Sequence, residues 1–82
     1  MTSLKYKDPQ QIFWENVERY SAEYNISVKK ALMDISSSRT TVNRRYNNYI
    51  NKTFPESLPM VMRDLIKYFN LQYIDLFEDW SD

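Results

Sequence analysis

An all-α fold, a compact bundle of about five short helices, is predicted by three features of this sequence. Apolar residues recur at spacings of three and four along most of the chain, which is the period of one helix face. No stretch shows the strict alternation of a half-buried strand. Helix-starting and helix-ending residues, Asp-Pro, Ser and Asn, fall between the periodic stretches. The 82 residues, 43% hydrophobic and 16% aromatic, suffice for one modest core and are too apolar for a disordered chain.

Residues 1–7 carry no periodic pattern and are expected to form a loose arm holding Lys5 and Lys7. A single domain is expected over residues 8–82. Asp8-Pro9-Gln10-Gln11 starts the first helix, with Asp8 as cap, Pro9 at the first helical position and Gln11 closing a capping box. Phe13, Val17, Tyr20 and Tyr24 form its apolar face, and Asn25 ends it in the left-handed conformation. Ser27 caps the second helix, whose apolar face is Val28, Ala31, Leu32 and Ile35. Ser36 and Ser37 make a turn. Ser38 then caps a third helix reaching to about Tyr49, with Val42 and Tyr46 as its anchors. A loop over residues 50–57 follows, with Phe54 tucked beneath it. Ser57-Leu58-Pro59 opens the fourth helix, carried by Val61, Met62, Leu65, Ile66 and Phe69 and ended by Asn70. Leu71, Ile74, Leu76 and Phe77 predict a short fifth helix over residues 73–80.

Net charge is zero, but its distribution is uneven. Residues 27–52 hold six bases (Lys29, Lys30, Arg39, Arg44, Arg45 and Lys52) against one acid, Asp34; residues 53–82 hold two bases and six acids. Such asymmetry suits a chain that turns one face to a phosphate backbone. The absence of Cys removes disulfides and zinc-thiolate sites. The absence of His removes the usual proton shuttle and nitrogen ligand. With no Gly, neither a phosphate-cradling loop nor a calcium-hand loop is available, and the acids Asp75, Glu78, Asp79 and Asp82 read as a solvated end. No catalytic constellation is present, so no enzyme, no cofactor, no metal and no small-molecule substrate is expected. Apolar runs never exceed three residues, which predicts no membrane span and a cytoplasmic protein.

About three residues separate the second helix from the third. The first of that pair is amphipathic and the other is basic and weakly apolar, a helix-turn-helix pattern. Ser38-Arg39-Thr40-Thr41-Val42-Asn43-Arg44 resembles the "S-R-S-T-I-S-R" start of the recognition helix in the lambda-repressor-like (Cro/repressor, XRE-type) family. Glu15-Asn16-Val17-Glu18-Arg19-Tyr20 is similar to the first helix of that family. Ala31, Leu32 and Ile35 match its second, and residues 65–77 its closing segment. The likeness spans roughly residues 13–79. It departs at Ser36, where the family usually has Gly and where a strained turn is therefore expected. It departs again at Val28, which replaces a common Gln, and in a longer loop before the fourth helix.

The resemblance implies a sequence-specific regulator of transcription that binds double-stranded DNA, a Cro-like repressor of a phage or mobile element, often acting as a homodimer. Arg39, Thr40, Asn43 and Arg44 are the expected base readers, since Arg pairs with guanine and Asn with adenine. Lys29, Lys30, Ser38, Arg45 and Lys52 are the expected backbone contacts. Arg45 has a second reading as an ion-pair partner of the acidic end. Trp80 and Tyr73 are the expected dimer contacts. Phe13, Tyr20, Phe69 and Phe77 are expected in the core, Tyr46 largely so, with flanking of the DNA backbone as the alternative reading of Tyr46 and Tyr49. A different reading of the same fold is a protein-interaction module that modulates another repressor or an enzyme.

Overall fold

The computed structural model describes residues 8–79; residues 1–7, where an arm is expected, and Trp80, an expected dimer contact, lie outside the described residues. Helix α1 (Pro9–Glu23) begins as its sequence dictates, with the Asp8 carboxylate accepting the Gln10 N–H at 2.9 Å and Pro9 leading the first turn. Gln11 departs from expectation. Its amide donates to the Glu15 carboxylate at 3.0 Å, a charged acceptor one turn on along the same helix face. Asn25, with φ at 60°, ends the helix in the left-handed region.

Helix α2 (Val28–Ile35) is capped by the Ser27 hydroxyl, which accepts the Lys30 N–H at 3.0 Å. Helix α3 (Arg39–Asn51) is capped in the same way by Ser38 on the Thr41 N–H at 3.2 Å. It runs two residues past its expected end at Tyr49. Lys52 takes the left-handed conformation, and the N–H groups of Lys52 and Thr53 close on the carbonyls of Tyr49 and Asn48 at 3.1 and 2.9 Å, so Ile50 and Asn51 stay helical. Helix α4 (Leu58–Phe69) ends at Asn70, again left-handed.

Four α-helices rather than five form among the described residues. The expected helix over 73–80 is a single 3₁₀ turn, Tyr73–Leu76. The Asp75 carboxylate closes this turn on the Gln72 N–H at 2.8 Å. Beyond it, the Glu78 carbonyl accepts the Asn16 amide of α1 at 2.8 Å. A tertiary bond thus satisfies this backbone acceptor.

The core forms where α1, α2, α4 and the 3₁₀ turn meet, around Phe13, Trp14, Val17, Ala31, Leu32, Val61, Leu65, Phe69 and Leu76. Trp14 and Asn16, absent from the periodic pattern of α1, are both buried. Tyr24, present in it, is 56% exposed and lies over Phe69, with its hydroxyl on the Phe69 carbonyl at 3.1 Å. Helix α3 packs outside this core through half-buried Tyr46 and Tyr49. Two further polar ties join helices: Tyr49 donates to Glu18, and Tyr68 of α4 donates to Asp34 of α2. No helix among the described residues is long and apolar enough to cross a membrane.

Two outcomes follow for stability. Asn16→Ala leaves the Glu78 carbonyl without its partner and is expected to cost about 1–3 kcal/mol in chemical denaturation, with faster amide exchange around the 3₁₀ turn. Burial and the bond to Glu18 push the Tyr49 hydroxyl up to about 12, and the bond to Asp34 with burial does the same to Tyr68. An unfolded tyrosine ionises near pH 10. The stability tied to these two protons is therefore complete below pH 10 and is lost as pH rises from 10 toward 12. In alkaline unfolding curves, the double substitution Tyr49→Phe and Tyr68→Phe should flatten the fall over that window.

Candidate nucleic-acid interface

Helix α3 reads RTTVNRRYNNYIN, with three arginines and no acid. Val42, Arg45, Tyr46 and Tyr49 share the side that faces the protein. Arg39, Thr40, Asn43, Arg44 and Asn47 lie exposed on the opposite side. Thr and Asn favour helix weakly, so caps at both ends and docking by two tyrosines are what keep this segment helical.

Four expected contact residues come together at one groove of about 460 Å³ between α2 and α3: Lys29, Ser38, Arg39 and Asn43. Among the described residues, Arg39 has no hydrogen-bond or ionic partner. The Lys29 ammonium sits 5.5 Å from the centre of the Tyr46 ring, which directs it toward α3. Ser38, at the turn end of the groove, has its hydroxyl committed to the Thr41 N–H and to the Thr41 hydroxyl at 2.9 Å. Thr40 is exposed beside the groove.

Other expected contacts are placed elsewhere. Arg44 lies on the far flank of α3 and pairs with Glu56 at 3.4 Å in an exposed bridge, which screening makes weak. Lys30 turns toward α4 and holds Asp34 at 2.9 and 3.0 Å. That carboxyl is held below its usual range by the Tyr68 hydroxyl first and by Lys30 second. Lys52 ends α3, about 20 Å along the helix from Arg39, with its ammonium 4.1 Å from the centre of the Tyr49 ring.

Arg45 corrects the expectation of a backbone contact. Only 9% exposed, it donates from a guanidinium nitrogen to the Ser36 hydroxyl at 2.9 Å, across the turn that joins α2 to α3. The reason is its position three residues after Val42 and four before Tyr49, on the protein-facing side of the helix. Burial lowers the guanidinium's affinity for its proton, and the charge of Asp64 on α4 opposes that effect. The turn itself is unstrained. Ser36 is extended, with φ at −110°, and no residue of 36–38 has positive φ, so Gly is not required there.

Two residues of this face escape a motif-based reading. Asn47 continues the line of Arg39 and Asn43 at helical spacing, a signal present in the sequence. Met33, on the groove and 53% exposed, breaks the polar character of the outer face of α2 and has no counterpart signal. No family model matches the chain, and no curated protein or solved structure matches it significantly.

The Arg45–Ser36 bond yields a stability test. Ser36→Ala removes the acceptor of a nearly buried charged donor and is expected to cost about 1–3 kcal/mol by denaturant titration. Arg45→Met, which keeps the volume and removes the charge, should be milder than Arg45→Ala.

Proposed function

We propose that the protein is a sequence-specific double-stranded DNA-binding regulator of the helix-turn-helix, Cro/repressor-like class. One observation carries this reading. Helix α3 has no acidic residue, is held by Val42, Arg45, Tyr46 and Tyr49, and turns Arg39, Thr40, Asn43 and Arg44 outward together. A helix of these dimensions fits a major groove about 12 Å wide. Arg39 and Thr40 in its first turn read base edges, with Asn43 and Arg44 one turn on. Lys29 and the α3 N-terminus beside Ser38 take phosphates and set register. Arg44 exchanges Glu56 for DNA on binding, and Lys30 and Lys52 add long-range attraction. The regulator acts as a two-fold dimer on half-sites about 34 Å apart, and Tyr73 and Ile74, 56% and 63% exposed, offer apolar surface for that contact.

A second reading, a protein-interaction module, draws support from Met33, Ile50 and Met60, each about half exposed. Selection from a random duplex pool separates the two. The DNA reading expects one enriched consensus whose symmetry reports the dimer. Arg39→Ala should then cost about 1–3 kcal/mol and relax preference at one base pair. Lys29→Ala should weaken all duplexes alike and reduce the salt slope by about one. No enrichment at moderate salt, together with a tight protein partner in pull-down, would overturn the DNA reading in favour of the module.

A further inference from the structure

The groove between α2 and α3 has two kinds of lining. Its ionisable groups are Lys29 and Arg39, both cationic, and no acid lines it. Between them lie two apolar side chains, Met33 from α2 and Val42 from α3. Val42 is 7% exposed and forms a floor, whereas Met33 is 53% exposed. Met33 stands one turn beyond Lys29 on α2, and Asn43 stands one turn beyond Arg39 on α3. The occupant this lining fits is anionic as a whole and carries a small apolar group among polar edges.

In major-groove DNA that description fits the C5 methyl of thymine, the one apolar group that unmodified base pairs display there. Met is suited to the contact, since its flexible thioether chain adapts to an irregular surface. A water-exposed methionine beside two groups that compete for polar edges gains by covering a methyl.

We propose that Met33, over the Val42 floor, reads one thymine methyl in the bound DNA site, next to the bases contacted by Arg39 and Asn43. The assignment rests on the DNA reading above. It adds a specificity residue from α2 to a surface whose other base readers come from α3.

The test uses the full chain and the duplex recovered by selection, with thymidine replaced by deoxyuridine one position at a time. That replacement removes one methyl and leaves every hydrogen-bonding group in place. At one position per half-site, binding should weaken about four-fold, the effect of uncovering one methyl-sized group. Met33→Ala should weaken the parent duplex by a similar factor and abolish the deoxyuridine effect at that position alone. A thermal melt shows whether the variant keeps its fold. A specifically bound duplex that tolerates deoxyuridine everywhere overturns the Met33 assignment and leaves the DNA reading standing. A deoxyuridine effect that survives Met33→Ala and disappears in Thr40→Ser assigns the methyl to Thr40 and also overturns it. Failure to bind any selected duplex overturns the DNA reading, and this assignment with it.

Discussion

Trp14 is buried in the middle of α1, donates its indole N–H to the Thr53 carbonyl at 2.7 Å, and sets its ring edge-on to Tyr49 at 5.6 Å. Much of the arrangement depends on that pair of contacts. Helix α3 contributes no residue to the central apolar cluster, so it cannot hold its place by burial alone. Trp14 anchors its last turn through Tyr49 and anchors the loop that follows through Thr53. Gln10 adds to this by accepting the Phe54 N–H at 2.7 Å. Phe13 then meets Phe54 and Phe77, so the loop and the 3₁₀ turn share one aromatic layer with α1. An aromatic ring offers large area with little conformational freedom to lose, which suits a chain of 82 residues with a small core.

The other end of α3 is held by polar means. Arg45 bonds Ser36 across the turn, and Ser38 caps the first residues of the helix. Polar fastening has a consequence for the outer face. Because the inward side is served by Val42, Arg45 and two tyrosines, Arg39, Thr40, Asn43 and Asn47 are left without structural duties. A buried, hydrogen-bonded arginine is directional in a way that apolar packing is not, so it restricts the angle between α2 and α3.

Charge pairing sharpens the asymmetry between the two ends. Asp34, the one acid in residues 27–52, is occupied by Lys30 and Tyr68 on the side facing α4. Glu56 is drawn to Arg44 on the far flank. Lys29 and Arg39 remain as cations with no paired acid among the described residues, and both border the same groove. A chain of zero net charge thereby acquires a locally positive rim.

By itself the sequence determined the helices and most of their ends. Spacing of apolar residues marks α1, α2 and α4, and Asp8, Ser27, Ser38, Asn25 and Asn70 act as caps, because these effects depend only on near neighbours along the chain. The outward side of α3 was legible for the same reason, since helical spacing alone separates Arg39, Thr40, Asn43 and Arg44 from Val42 and Tyr46. Tertiary structure decided what spacing leaves open. Trp14 and Asn16 became interior residues because distant segments supply the Thr53 and Glu78 carbonyls they bond. The segment after the 3₁₀ turn is tied by its Glu78 carbonyl to Asn16 of α1, a contact that spacing does not reveal. Arg45 turned inward to Ser36, and the Lys30–Asp34 pair gained Tyr68 of α4, because Ser36 and Tyr68 lie where only folding puts them. Lys30 and Asp34 pair by helical spacing alone, whereas Arg45 meets Ser36 through the geometry of the turn, of which residue type carries no record.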